Sequence, residues 1–124
     1  MDRMLDQEML TFTPRAGSFD VERLASGLSG IGFPFRDEVH PERFLICATE
    51  KARAYFQAAR RAAPSSPYPR VVNVDIRADR VNVWPASYHP ALREVSRQVL
   101  EWLAADRDCD VVNEDDVDMT RLPA

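Results

Sequence analysis

Three observations predict a single domain of the α+β class. The chain has 124 residues, which is close to the usual size of one compact domain. Its apolar fraction of 45% and charged fraction of 29% are typical of a globular protein. Segments in which every second residue is apolar alternate with segments in which apolar residues recur every three or four positions. These are the periods of strands and helices, so both element types are expected.

Residues 8–33 predict a strand followed by a helix. The strand covers residues 8–13 and is stopped by Pro14. Ser18 or Asp20 is placed to cap the helix. The apolar residues of the helix recur at helical spacing, at Val21, Leu24, Ala25, Leu28 and Ile31. Glycines and Pro34 then end the helix, and residues 34–42 are expected to form a loop.

Residues 43–85 predict a strand, a helix and a hairpin. Residues 43–48 are apolar without alternation, which is typical of a central strand covered on both faces. Thr49 is the expected cap of a helix that continues to about Ala63, and a proline-rich connector follows at residues 64–69. Two alternating segments around an Ala78-Asp79 turn then predict a hairpin.

The C-terminal part predicts one long helix, a last strand and a polar tail. Ser87 precedes a segment with Pro90 in its first turn and an apolar stripe that includes Leu92, Val99 and Leu103. The last strand is expected at residues 110–113, and residues 114–124 are expected to form a polar tail.

From residue 43 onward the element order is strand, helix, strand, strand, helix, strand. This is the split βαβ plan of ferredoxin-like domains. We therefore predict a two-layer sandwich with a βαββαβ core at 43–113, an N-terminal strand-helix extension at 8–33, and a mixed or antiparallel sheet of about five strands. Helices cover only one face of such a sheet, so the N-terminal extension or a second copy of the chain is expected to cover the other.

Acidic residues concentrate near the C-terminus. Seven carboxylates stand against one cation, Arg107, between residues 106 and 118, giving a local net charge of −6. The whole chain carries −4, so the remainder sums to +2. Such a distribution argues against nucleic acid as a partner and favours a protein with a basic surface. The carboxylates of this predicted surface are Asp106, Asp108, Asp110, Glu114, Asp115, Asp116 and Asp118.

Membrane insertion and secretion are not predicted. No stretch reaches the roughly 18 apolar residues of a membrane helix, and the charged start lacks the apolar segment of a signal peptide. Cys47 and Cys109 form no CxxC pair, so reduced thiols in a cytoplasmic protein are expected.

No catalytic, metal-binding or cofactor-binding motif is complete. Cys47 lies in an apolar strand and Cys109 among carboxylates, so neither is expected to form a thiolate. His40 and His89 both precede proline, and no third metal ligand can be assigned. The glycines near residue 30 close a helix instead of opening one, so they do not form a dinucleotide fingerprint. We expect no cofactor and no metal.

Two functional hypotheses remain from the sequence. The first is a non-enzymatic interaction module, such as an inhibitor, an immunity-type protein or an adaptor, that uses the acidic C-terminal surface. The alternative is a small-molecule-binding protein or enzyme with a pocket between the open sheet face and the N-terminal helix. That pocket would be lined by Asn73, Asp75, Asn82 and Trp84. A homodimer through the sheet face is compatible with both hypotheses.

Overall fold

A computed structural model describes residues 2–60, 70–87 and 89–120, with the backbone alone described at residues 2 and 3. The helices are α1 (Asp2–Leu5), α2 (Val21–Leu28), α3 (Glu50–Ala59) and α4 (Ala91–Asp106). The strands are β1 (Leu10–Pro14), β2 (Phe33–Arg36), β3 (Arg43–Cys47), β4 (Val71–Ile76), β5 (Val81–Pro85) and β6 (Cys109–Asn113). The predicted α+β class is confirmed.

The strands form one sheet in the order β2-β3-β4-β5-β1-β6, and every neighbouring pair is antiparallel. This order differs from the ferredoxin-like prediction, in which β3 and β5 would lie side by side at the centre. Instead β3 pairs with β4, with Leu45 opposite Asn73. The described sheet has six strands where about five were expected.

The additional strand is β2, which lies in the segment expected to be a loop. Phe33 and Phe35 alternate there, opposite Cys47 and Leu45 of β3. Pro34 led to the loop prediction because proline is excluded from central strands. Since β2 forms the edge of the sheet, a residue without a backbone N–H is tolerated at that position.

The N-terminal strand belongs to the interior of the sheet and is not an extension of it. Strand β1 lies between β5 and β6, where Phe12 is opposite both Val81 and Val111. The correction follows from pairing across long sequence separations, which the local pattern of residues 8–13 does not encode.

Helices cover both faces of β3, which corrects the two-layer prediction. Phe44 and Ile46 pack in the main core with residues of α2 and α4. Leu45 and Cys47 point to the opposite face, where they pack in a second core with Ala52 and Phe56 of α3. In the predicted fold, a right-handed crossover between parallel strands would place α3 on the same face as α4. Because β3 and β4 are antiparallel neighbours, that constraint does not apply to α3. Neither a second copy nor the N-terminal segment is needed to cover Leu45.

The predicted helix caps are present at α2 and α3. The Asp20 carboxylate accepts a hydrogen bond from the Arg23 N–H at 3.1 Å, and the Thr49 hydroxyl accepts from the Ala52 N–H at 3.2 Å. Helix α3 ends at Ala59, followed by Arg60 in a left-handed conformation with φ of 61°. It is therefore shorter than the predicted helix, and the predicted connector lies outside the described residues.

Candidate protein-interaction surface

Six of the seven predicted carboxylates are exposed along one margin of the sheet. Strand β6 is the edge strand on that side, and the six residues lie beside it, within it or in the turn that follows. We call this group the acidic edge: Asp108, Asp110, Glu114, Asp115, Asp116 and Asp118.

The turn after β6 is built around Asn113. Its side-chain oxygen accepts hydrogen bonds from the backbone N–H groups of Asp115 and Val117, both at 2.9 Å. Its amide nitrogen donates to Oε1 of Gln7 at 2.9 Å. Asp116 adopts a left-handed conformation with φ of 60°, which Asp and Asn tolerate better than most residues. Asn113 therefore holds the turn in a defined shape.

The segment after the turn folds back on β6 and does not form the expected polar tail. Met119 is 3% exposed within the main core, and its N–H donates to the Val111 carbonyl at 2.7 Å. The Val111 N–H donates in turn to the Thr120 hydroxyl at 2.7 Å. Backbone groups on the outer side of β6 are satisfied in this way. Residues 121–124 lie outside the described residues.

Three carboxylates of the acidic edge interact electrostatically with Arg15. Its Nε lies 3.0 Å from Oδ1 of Asp110. The hydrogen bond to Asp110 raises the pKa of Arg15, and the nearby charges of Asp108 and Asp118 raise it further. One guanidinium thus offsets only part of the negative charge of this margin.

Glu114 is held in its ionised form by the backbone. Its Oε2 accepts from the Met9 N–H at 3.2 Å. Backbone N–H groups of Glu114 itself, and then of Met9 and Glu8, hold the pKa of this carboxyl below its ordinary value. The acidic edge therefore keeps this charge at neutral pH.

The seventh predicted carboxylate, Asp106, does not belong to this surface. It ends α4, and its side chain is 3% exposed. Nε of Arg23 lies 2.9 Å from its Oδ1, outside hydrogen-bond geometry, and Nε of Arg107 lies 3.7 Å from its Oδ2. Asp106 therefore joins α4 to α2 through an ion pair in which the carboxylate is buried and the Arg23 side chain is exposed, and Asp106 itself is unavailable to a partner.

The structure brings the four predicted pocket residues together on one face of β4 and β5. Asn73 lies opposite Trp84 and Asp75 opposite Asn82. The Asn73 amide donates to the Trp84 carbonyl at 3.3 Å, and an Arg77 nitrogen lies 3.0 Å from Asp75.

The N-terminal helix does not form a wall of that predicted pocket. Leu24 and Leu28 of α2 pack in the main core with Val74 and Val83. Val74 and Val83 alternate with Asn73 and Trp84, so α2 lies on the opposite side of the sheet.

The two histidines and the two cysteines each have local surroundings of their own. His89 Nδ1 accepts a hydrogen bond from the Ala91 N–H at 3.0 Å, and His40 Nδ1 lies 3.7 Å from the Glu42 carboxylate. Burial raises the pKa of Cys47 to about 12, and burial also raises the pKa of Cys109.

Neither a metal site nor a membrane-spanning helix is present in the described part of the chain. There, no three His, Cys, Asp or Glu side chains are arranged to hold a metal ion. No helix among the same residues has the length and apolar character needed to cross a membrane.

Comparisons with protein-family models, with curated proteins and with solved structures found no match to this chain. Sequence reasoning identified the exposed carboxylates but missed Asn113, which shapes the turn, and Met119, which anchors it. An asparagine directly before an acidic segment is a turn signal, and it was the available clue.

Proposed function

We propose that this protein is a non-enzymatic interaction module whose acidic edge binds a basic surface on another protein. An inhibitor, an immunity-type protein or an adaptor would use such a surface. The observation that carries the proposal is the turn held by Asn113, which displays Asp115 and Asp116 to solvent at fixed positions.

Fixed presentation of charge supports recognition for a physical reason. Ordering a mobile segment on binding costs conformational entropy, and a turn already held by its own hydrogen bonds avoids much of that cost. Carboxylates on such a turn attract a basic surface and select its orientation.

Exposed apolar side chains beside the carboxylates also support protein binding. Met9 is 37% exposed and Val117 is 45% exposed. Met9 is bonded to Glu114 through its backbone N–H, and Val117 lies within the turn. Protein interfaces commonly combine an apolar centre with a polar rim, so these two residues would supply apolar contact next to the charges.

The test is affinity capture from the native source, followed by binding measurements on the purified partner. A triple variant, Asp108→Asn with Asp115→Asn and Asp116→Asn, removes three charges whose carboxylates make no hydrogen bond to another described residue. A matched variant, Glu50→Gln with Glu94→Gln and Glu101→Gln, removes three charges from α3 and α4.

We expect the triple variant to lose about tenfold or more in affinity and to show weaker salt dependence. The matched variant should bind as the wild type does. Equal losses in both variants, or no loss in the triple variant, would contradict the proposal.

A second candidate function is binding of a small molecule on the face of β4 and β5. The register that sets Asn73 beside Trp84 and Asp75 beside Asn82 favours it. An aromatic ring next to amide groups suits a ligand with both apolar and polar faces. Ligand-induced backbone amide shifts of Asn73 and Asn82, lost in Trp84→Ala, would support this candidate, and shifts that persist in Trp84→Ala would contradict it.

A further inference from the structure

A cleft of about 290 Å³ lies between α2 and the β2 margin of the sheet. Ala25 and Ser26 of α2 and Ser29, which follows the helix, line one side, and Pro34 and Phe44 line the other. Two charged residues, Glu22 and Arg36, complete the lining. The cleft is close to the lower limit of roughly 300 Å³ for small-molecule sites, so its size suits a small ligand.

Arg36 occupies a position whose neighbours on this face of the sheet are apolar. It lies opposite Phe44, and cross-strand partners point to the same face. The neighbouring positions on that face include Ile46, Val72 and Val74, all of which belong to the main core. A cation at such a position departs from the local pattern, and departures of this kind concentrate at functional sites.

The guanidinium of Arg36 is fixed before any ligand arrives. Nε donates to the Pro41 carbonyl at 2.7 Å. The guanidinium carbon lies 5.4 Å from the centre of the Phe44 ring, a distance at which cation–π attraction operates. These contacts leave the two terminal nitrogens of the fork facing the carboxylate of Glu22.

Glu22 occupies the position in which a planar anion would bind. Its two oxygens accept from the two terminal nitrogens of Arg36 at 3.0 and 2.8 Å. This parallel pair is the geometry by which arginine recognises a carboxylate. The Glu22 side chain is 76% exposed, and exposed ion pairs are weak enough to exchange.

We propose that the cleft is a binding site for the carboxylate of a ligand, which replaces Glu22 on the Arg36 fork. The carboxylate comes from a small organic acid or from the C-terminus of a peptide, and both present the same planar anion. The hydroxyl of Ser26, which is exposed at the cleft, is available to the remainder of the ligand. This site lies by β2, at the opposite margin of the sheet from the acidic edge, so its failure would leave the proposed function standing.

The experiment is an NMR titration of the 15N-labelled full chain with acetate, read at the backbone amides of Ser26 and Ser29. We expect saturable shifts in the wild type. Glu22→Ala removes the internal competitor and should tighten acetate binding about two- to fivefold, the range that corresponds to a surface ion pair. Arg36→Lys keeps the charge but removes the guanidinium fork. It should weaken acetate binding because lysine cannot make the bidentate contact.

Two further arms distinguish the sources of the carboxylate. A short peptide with a free C-terminus is compared with the same peptide carrying a C-terminal amide. Tighter binding of the free peptide than of acetate, lost in the amide, identifies a peptide C-terminus, whereas no gain over acetate identifies a small acid. Shifts that do not saturate, or acetate affinities unchanged in both Glu22→Ala and Arg36→Lys, would overturn the proposal.

Discussion

The indole of Trp102 in α4 lies directly against Gly27 in α2. A Cβ atom on residue 27 would overlap the ring and would lie 2.6 Å from its Nε1. The two helices therefore approach closely because residue 27 has no side chain. Helix α2 packs on α4 through this contact, and Leu24 and Leu28 on either side of it are fully buried.

Replacing Gly27 is expected to separate the helices. Alanine normally stabilises a helix by up to about 1 kcal/mol relative to glycine. Here we expect Gly27→Ala to destabilise the protein by about 1–3 kcal/mol, because the new methyl group overpacks the interface. Urea unfolding measures the difference. Gly30→Ala is the control, since its nearest contact would be 3.5 Å away, and it should change stability by no more than about 0.5 kcal/mol. A stabilised Gly27→Ala variant would contradict the close approach.

Asp37 is expected to stabilise the loop between β2 and β3. The residue is 2% exposed, and its Oδ1 accepts from the Val39 and His40 N–H groups, both at 2.8 Å. Asp37→Ala leaves these donors unpaired and should cost about 1–3 kcal/mol.

Asp37→Asn retains an oxygen acceptor and should cost less than Asp37→Ala. Glu38→Ala next to it is the control, because the Glu38 side chain is 61% exposed and surface changes stay within about 0.5 kcal/mol. Chemical denaturation of the three variants measures their order of stability. Equal losses of stability in Asp37→Ala and Asp37→Asn would argue against stabilisation by the hydrogen bonds that Asp37 accepts.

Glu114 should make the stability of the protein depend on pH in a defined direction. Its pKa in the folded state is lowered from the ordinary value of 4.5 by backbone N–H groups. Its contribution to the free energy of unfolding is therefore complete at pH values above the ordinary pKa. That contribution is lost as the pH falls through the lowered pKa of the folded state.

The check for Glu114 is the stability difference between wild type and Glu114→Gln at pH 7 and at pH 3. We expect the wild type to be more stable than Glu114→Gln at pH 7, and we expect this stability difference to be smaller at pH 3. Glu101→Gln, on the exposed side of α4, serves as the control for removal of a surface carboxylate. A difference that is independent of pH would show that the Glu114 charge does not stabilise the fold.

Both cysteines should resist alkylation in the folded protein. Burial raises the pKa of Cys47 to about 12, although Arg53 opposes this shift, and Cys109 is 8% exposed. A thiol reagent at pH 8 should therefore label neither cysteine until urea unfolds the chain. Mass spectrometry counts the labels, and rapid labelling of Cys47 without denaturant would contradict its burial.

Local sequence patterns predicted the hairpin and the presence of α2, α3 and α4, but they did not predict α1. Thr49 and Asp20 cap the helices that they were expected to cap, because a cap depends on residues three positions apart. Val74 and Val83 alternate with polar neighbours and form the predicted hairpin pair. These features follow from interactions within a few residues along the chain.

The candidate site was predicted only in part. The exposed carboxylates follow from composition, yet Asp106 turned inward because Arg23 of α2 lies beside the end of α4. Met119 was assigned to a polar tail, although it packs in the core after the chain reverses at Asn113. Both outcomes depend on residues brought together from distant parts of the sequence.

The sequence by itself determined the class of the fold, the starts of α2 and α3, the central hairpin and the concentration of negative charge near the C-terminus. Only the tertiary structure decided that β1 enters the sheet between β5 and β6, that α3 and α4 lie on opposite faces, and which carboxylates remain exposed. The physical reason is that strand pairing and helix packing are selected by burial summed over the whole chain, and no local period records which distant partner buries the most apolar surface.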